Sequence, residues 1–327
     1  MSVGFTVGTR YGFITAADYA HSVGATCIQL FLRSAHSYVG KRKTAGELDQ
    51  LRDRLEHHQM EAVVHGCYLL NFCNPPGSYI HEKAVVQLSE DLTDAVRLGA
   101  IGVVIHMGKK LKMDKGVALK NYLTGIQRAL NNADPRSRLI LETGTGCGTE
   151  ICTPLIKLGM LRRMVPKRLR GRIGFCLDTC HMFVAGSCLG FEECIRLIDN
   201  EVDKFLGWEN VDCIHLNDSK AAQFSSRDLH ADLGKGLIGL DGLSSFCRLA
   251  ASHNIPLILE TPAHYYNTKN EIYKFSKKDK KTKQSLERIK KAGYTRYTCG
   301  QQMRLVREWL STKYVPFCDK DDGIKKD

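Results

Sequence analysis

Long hydrophobic runs are absent from the 327-residue chain. No stretch approaches the ~18 consecutive apolar residues of a membrane-spanning helix. Residues 1–8 also lack the basic start and apolar core of a secretory signal. We therefore expect a soluble intracellular protein with no membrane partner, in the cytoplasm or nucleus.

Paired cysteine motifs are missing as well, although the chain has 13 cysteines. Cys176 and Cys180 have no matching second pair, which argues against a zinc site built from four thiolates. Because the cysteine count is odd and the spacing is irregular, we expect reduced thiols that serve as small apolar residues.

Acidic residues are the scarcer charge, since 35 Asp and Glu stand against 47 Lys and Arg, for a net charge of +12 and a pI near 9.1. This balance favours a polyanionic partner, with nucleic acid ahead of a membrane surface. Most of the surplus lies in residues 269–296, which hold eleven basic and three acidic residues and include Lys277, Lys278, Lys280 and Lys281. The run is either a solvated insertion or a contact to a nucleic-acid backbone, with interleaved aromatic rings available for stacking. A nuclear address is a third interpretation.

Short apolar runs alternate with amphipathic stretches of helical length. Eight runs are predicted as strands, at residues 3–8, 26–32, 61–65, 101–106, 138–142, 172–178, 211–217 and 256–260. Eight strands, each followed by a helical stretch, favour an α/β fold of the (β/α)8 TIM-barrel type, which needs ~250 residues plus insertions. A doubly wound sheet is the alternative, but residues 8–12 match its glycine-rich phosphate loop poorly. We expect the barrel in residues 1–262 and a basic C-terminal extension with a final helix in residues 263–327.

Helix starts are predicted from capping signals. Thr15 precedes Asp18, and Thr44 precedes Glu47, both at the spacing of a capping box. Another helix is predicted over residues 150–158.

Histidines and carboxylates stand at the ends of six successive predicted strands. They are His65, His106, Glu142, Asp178, His181, His215, Asp228, His230 and Glu260. Each has an ordinary structural explanation, and Asp178 in particular could cap the next helix. Because the carboxyl ends of barrel strands meet on one face, we expect the nine side chains to converge. Five imidazoles with four carboxylates favour zinc, and nine ligands suffice for three ions if one carboxylate is shared. Such a site suits phosphodiester hydrolysis.

Several motifs resemble the signatures of the endonuclease IV family of apurinic/apyrimidinic endonucleases. They are Phe175-Cys-Leu-Asp-Thr-Cys-His-Met-Phe-Val-Ala-Gly186, His215-Leu-Asn-Asp-Ser-Lys220, Leu139-Ile-Leu-Glu-Thr-Gly144, Gly234-Lys-Gly-Leu-Ile-Gly239 and Pro256-Leu-Ile-Leu-Glu-Thr-Pro262. The resemblance spans residues 5–262 and implies a TIM-like barrel with three zinc ions per chain. It further implies a monomer that hydrolyses duplex DNA 5′ to an abasic site in base excision repair. The products would be a 3′-hydroxyl and a 5′-deoxyribose phosphate, and blocked 3′ ends would also be cleared.

The resemblance also implies residue roles. One zinc would lie on His65, His106 and Glu142, a second on Glu142, Asp178, His215 and Glu260, and a third on His181, Asp228 and His230. Glu142 would bridge two ions, and Glu260 would also position the attacking water. Tyr68 and Leu69 would enter the base stack while the abasic nucleotide turns out, which costs least where the base is missing. Packing of Tyr68 on the barrel rim is the alternative.

The chain departs from the family pattern in places. Residues 33–38, Arg-Ser-Ala-His-Ser-Tyr, leave the usual wedge arginine unassigned, Met107 replaces a proline, and the sequence after Pro262 diverges.

Two other functions stay open. A sugar isomerase or epimerase would bind one metal at Glu142, Asp178, His215 and Glu260 and leave the other histidines unused. A non-enzymatic DNA-binding protein would hold structural zinc.

Overall fold

The computed structural model describes residues 1–38, 40–274 and 283–312. The strands of the central barrel are β1 (Val3–Thr6), β2 (Cys27–Leu30), β3 (Glu61–His65), β4 (Val103–Ile105), β5 (Leu139–Glu142), β6 (Ile173–Asp178), β7 (Val211–His215) and β10 (Leu257–Leu259). They pair in parallel and close in the order β1-β10-β7-β6-β5-β4-β3-β2. All eight predicted strands are present, several of them shortened, and the predicted barrel is confirmed.

Helices surround the barrel. They are α1 (Phe13–Ser22), α2 (Ala45–His57), α3 (Tyr79–Leu98), α4 (Lys115–Asn132), α5 (Leu155–Met164), α6 (Lys167–Arg170), α7 (Thr179–Ala185), α8 (Glu192–Phe205), α9 (Leu240–Ser252), α10 (Lys283–Lys291) and α11 (Cys299–Leu310). In the described part of the chain, none of them has the length and apolar character that crossing a membrane requires.

The helix starts show which local signals the fold uses. Thr44 and Glu47 form the predicted capping box of α2. The prediction for Thr15 is wrong, because α1 begins at Phe13 and Thr15 lies inside its first turn. The helix predicted over residues 150–158 is displaced and starts at Leu155, since Pro154 disfavours helical geometry in the residue before it.

The barrel interior contains an apolar layer to which seven strands contribute one buried residue each. Its members are Cys27, Val63, Val104, Ile140, Cys176, Cys213 and Ile258. At the corresponding position β1 has Gly4, where a Cβ would lie 1.7 Å from the carbonyl oxygen of Cys27. Glycine therefore allows β1 and β2 to approach closely and close the barrel.

Two short pairs of antiparallel strands lie in the segments that follow the carboxyl ends of barrel strands. β8 (Asp218–Ser219) pairs with β9 (His230–Ala231), and β11 (Tyr265–Tyr266) pairs with β12 (Thr295–Arg296). α11 packs against α9 and β1, so the end of the described chain joins the layer of helices around the barrel.

The cysteines differ from expectation at one pair. Cys188 and Cys194 form a disulfide, so the prediction of reduced thiols is wrong for these two. Their Cα atoms lie 5.4 Å apart in the segment that joins α7 to α8, a separation that a disulfide can span. The other cysteines in the described ranges are free, and most of them are buried as small apolar residues.

Candidate metal centre

A polar layer lies directly above the apolar layer of the barrel. Side chains alternate between the two faces of a strand, so the residue two positions further along points to the same interior. Two positions beyond the apolar members stand Gln29, His65, His106, Glu142, Asp178, His215 and Glu260. All but Gln29 are predicted ligands. His181 comes from α7, Asp228 from the β8–β9 connection and His230 from β9, so all nine predicted ligands meet at the carboxyl end of the barrel.

Glu142 occupies the middle of this layer and is fully buried. Its Oε2 lies 3.5 Å from His65 Nε2 and 3.0 Å from His106 Nε2. Its Oε1 lies 2.9 Å from His215 Nδ1. Because each oxygen faces different imidazoles, this carboxylate can bridge two cations.

The predicted ligands contain three sets in which every ligand atom lies within 4.8 Å of the others in its set. The sets are His65 with His106 and Glu142, then Glu142 with Asp178, His215 and Glu260, and finally Asp178 with His181 and His230. Asp228 joins the third set, since its oxygens lie 3.2 Å from His181 Nε2 and 3.1 Å from His230 Nε2. The Cys180 thiol is also close to Asp228 and His230, but burial raises the pKa of Cys180 to about 12 and disfavours its thiolate.

Asp178 both caps a helix and lies among the predicted metal ligands. Its Oδ1 accepts a hydrogen bond of 2.8 Å from the backbone N–H of His181 and caps α7. Its Oδ2 lies 3.8 Å from His215 Nδ1 and 3.6 Å from His230 Nε2. The cap therefore fixes the carboxylate so that its other oxygen lies between the second and third sets.

The nitrogen and oxygen atoms of this centre are of the kinds that bind zinc in proteins. Four of the buried atoms form no hydrogen bond among the described residues, although another ligand atom lies 3.0–3.5 Å from each of them: His65 Nε2, Glu142 Oε2, His181 Nε2 and His230 Nε2. Buried polar atoms normally have partners, so atoms left without one need an explanation. Neutral imidazole nitrogens and carboxylate oxygens are the ligands zinc takes in proteins, and a cation among them would satisfy all four atoms.

In two of these imidazoles the second nitrogen is held by a backbone carbonyl. His65 Nδ1 donates to the carbonyl oxygen of Gly66 at 2.8 Å, and His181 Nδ1 donates to that of Thr143 at 2.9 Å. These hydrogen bonds orient the rings and leave Nε2 unprotonated in the neutral form, as metal-binding histidines require.

The electrostatics of the centre favour cations. Burial raises the pKa of Glu142, but His106 and His215 lower it further, so it lies well below the ordinary value. Burial lowers the pKa of His215, but Glu260 and Glu142 raise it more strongly, to about 10. Ionised carboxylates thus attract positive charge into the centre, and metal cations can supply that charge in place of protons.

Gln29 contacts two of the predicted ligands and was not itself predicted from the sequence. It is fully buried, and its Nε2 donates to Glu260 Oε1 at 2.7 Å while its Oε1 accepts from His215 Nε2 at 2.8 Å. One amide therefore orients two candidate ligands. Its position two residues after Cys27 places it in the ligand layer, a signal that was present in the strand pattern.

Tyr68 and Leu69 lie on the rim of a cavity of about 490 Å³ that His106, His181, Asp228, His230 and Glu260 also line. Tyr68 packs against Phe31 at a ring-centroid distance of 5.2 Å, yet 40% of its surface is exposed. Leu69 is 45% exposed. Both residues therefore combine a fixed position beside the ligands with a free apolar surface.

Arg33 is the arginine nearest to the end of β2, and it does not face this rim. Its side chain is only 10% exposed and lies 2.7 Å from Glu90 and 3.0 Å from Asp91. These carboxylates hold Arg33 in a buried structural role.

The four predicted DNA-binding lysines of the basic run, Lys277, Lys278, Lys280 and Lys281, lie outside the described residues.

Comparisons with known proteins find a barrel family and several endonucleases that are similar to this chain. The family description "Xylose isomerase-like TIM barrel" matches residues 17–292. The chain is 35% identical over 277 residues to a putative endonuclease 4 of Acanthamoeba polyphaga mimivirus, covering 83% of this chain and 89% of the relative. It is 29% identical to apurinic-apyrimidinic endonuclease 1 of Saccharomyces cerevisiae, covering 77% and 68%. The crystal structure of endonuclease IV from Thermus thermophilus superposes with a TM-score of 0.72 at 26% identity, covering 95% of this chain and 99% of that one.

Proposed function

This chain belongs to the endonuclease IV family, and we propose that it is a zinc-dependent apurinic/apyrimidinic endonuclease of base excision repair. The proposed substrate is duplex DNA with an abasic site. Water attacks the phosphorus on the 5′ side of the lesion, and the bond from phosphorus to the 3′ oxygen breaks. The products are a 3′-hydroxyl and a 5′-deoxyribose phosphate.

One observation carries the proposal: nine histidine and carboxylate side chains meet in three adjoining sets at the mouth of the barrel. In the proposed assignment His65, His106 and Glu142 hold the first of three zinc ions, and Glu142, Asp178, His215 and Glu260 hold the second. His181, Asp228 and His230 hold the third. Bound there, zinc would neutralise charge on the phosphate and lower the pKa of water so that hydroxide forms near neutral pH.

Glu260 is the proposed residue that orients the attacking water. Burial raises its pKa, but His215 and His65 lower it further, so the side chain is an ionised carboxylate. Its Oε1 accepts hydrogen bonds from Gln29 at 2.7 Å and from Thr6 Oγ1 at 3.3 Å. Oε2, 3.4 Å from His215 Nδ1, is then left for the second zinc ion and the attacking water. No side chain needs to form a covalent bond with the substrate.

The alternatives use less of the site. A single-metal sugar isomerase would need the set of Glu142, Asp178, His215 and Glu260, and the five remaining ligands would have no role. A net charge of +12 also suits no sugar. Purely structural zinc would be closed off by its ligands, whereas these side chains line a cavity of about 490 Å³ that can admit a substrate.

The same site can act on blocked 3′ ends, because removing a 3′ phosphate or phosphoglycolate also requires attack of water on a phosphate ester. We include this activity in the proposal. We also propose that the enzyme is a monomer and that it is located in the cytoplasm, the nucleus or a virion.

An incision assay tests the function. Protein purified without added magnesium is incubated with a duplex oligonucleotide that contains one tetrahydrofuran residue, a stable analogue of an abasic site. We expect a single cut on the 5′ side of the analogue and none in the same duplex with a normal nucleotide. Absence of cutting by protein with zinc bound would contradict the proposal.

Tyr68→Ala is expected to lower kcat/KM for the abasic duplex about tenfold or more, because stacking of one base on an aromatic ring contributes ~1–3 kcal/mol. Affinity for undamaged duplex should change little, since no nucleotide turns out there. Tyr19→Ala, at an exposed tyrosine on the outer face of α1, is the matched control. Equal kcat/KM for Tyr68→Ala and the control would show that Tyr68 only packs on the rim.

A further inference from the structure

The segment that follows β10 forms an arm on the metal-binding face of the barrel. The described residues 263–274 and 283–298 follow β10, whose carboxyl end is next to Glu260, and they contain β11, α10 and β12. The proposed function assigns no role to this arm.

Asp232 fixes the arm relative to the metal centre. This fully buried carboxylate lies two residues beyond His230 and accepts hydrogen bonds from the backbone of Ala263 and His264 at 2.7 and 2.9 Å. It also accepts from Tyr266 Oη at 2.8 Å and from Gln302 Nε2 at 2.9 Å. The start of the arm and the helix that follows it are thus tied to the segment that carries His230.

Among the exposed charged side chains of the arm, cations outnumber the two acids, Glu271 and Glu287. Within it, α10 buries Ile289 and leaves Lys290 and Lys291 exposed in its last turn. The other exposed cations of the arm are Lys269, Lys274, Arg288 and Arg296. Among the described residues, Lys290 and Lys291 form no ion pair, so their charge is available to a partner.

A second group of cations lies across the barrel mouth. The loop between β4 and α4 presents Lys109 and Lys112 as exposed residues, and Lys109 lines the cavity of the metal centre. Three strands separate β4 from β10 in either direction around the closed barrel, so this loop and the arm lie on opposite sides of the centre.

Resting on the proposed function, we propose that the arm binds the phosphate backbone of the substrate duplex on one side of the abasic site, opposite the β4–α4 loop. The duplex then crosses the barrel mouth from the β4 side to the β10 side. A phosphate backbone is the polyanion that such unpaired, exposed lysines recognise.

The salt dependence of DNA binding tests the arm. Each phosphate contact contributes about 0.9 to the slope of log K against log salt concentration for duplex DNA. For the double variant Lys290→Gln/Lys291→Gln, we expect the slope measured on undamaged duplex to fall by roughly one to two. The control variant Lys167→Gln/Arg168→Gln removes the same charge at α6, before β6 and hence at the opposite end of the barrel, and should leave the slope unchanged. An unchanged slope for the arm variant, or an equal change in the control, would overturn the proposal.

Truncated substrates test the side of the contact. Duplexes are shortened close to the abasic site on one side or on the other, and kcat/KM is measured for the wild type and for the arm variant. We expect the deficit of the arm variant to vanish with one truncation and to persist with the other, with kcat at saturating DNA unchanged. A deficit that is equal for both truncations would refute contact on one side. Because the salt slope is measured on undamaged DNA, it tests the arm even if no incision is observed and the proposed function fails.

Discussion

Glu260→Gln is expected to reduce incision at an abasic site by about 10²–10⁴-fold, the range that a positioned acid–base group contributes. Glutamine keeps the size of the side chain and one carbonyl oxygen, but it loses the negative charge that orients water and balances His215, 3.4 Å away. The bound zinc and the affinity for abasic duplex should be largely kept. The measurements are kcat under saturating DNA, zinc content by elemental analysis and DNA affinity in a binding assay.

Glu56→Gln is the matched control for this change. It is the same substitution at a side chain that is 71% exposed on the outer surface of α2, and it should leave incision unaltered. If Glu260→Gln keeps kcat within a few-fold of the wild type while zinc is bound, Glu260 does not orient the attacking water.

Removal of zinc is expected to abolish incision, with a loss of more than about 1,000-fold. Metal ions contribute several kcal/mol of charge stabilisation in the transition state, and each 1.36 kcal/mol corresponds to a factor of ten in rate. The melting temperature should also fall, because a ligand that binds only the folded state stabilises it. Dialysis against a strong chelator, followed by incision and melting measurements and by titration with zinc, checks both effects.

Elemental analysis before dialysis should find about three zinc ions per chain, since one zinc takes three or four protein ligands. A sample dialysed without chelator controls for losses in handling. One zinc or none in fully active protein would contradict the three-site assignment, and activity that survives complete zinc removal would contradict the metal dependence.

Local patterns in the sequence were sufficient to predict the strands and the residues at their ends. Apolar runs identify buried strands because each buried position favours an apolar side chain. Side chains alternate between the two faces of a strand, and this alternation then indicates which residues point into the barrel interior. His65 and Glu260 could be recognised on this basis alone. Gln29 stands in the same layer but was passed over, because an amide is not an expected zinc ligand. Thr15 and Thr44 show the limit of local signals, since both have capping-box spacing and only Thr44 begins a helix.

The class of fold, the chemical types of the ligands and the excess of positive charge can be predicted from the amino-acid sequence, because each of them depends on residue identity and on short-range spacing. The arrangement of the ligands, by contrast, depends on contacts between segments that are distant in the chain. Which oxygen of Glu142 faces which imidazole, and how Gln29 holds Glu260 across 231 residues of chain, depend on closure of the barrel. The same holds for the two oxygens of Asp178, one in a helix cap and one beside His215 and His230. Such contacts between distant segments follow from strand order and register, which no local pattern specifies.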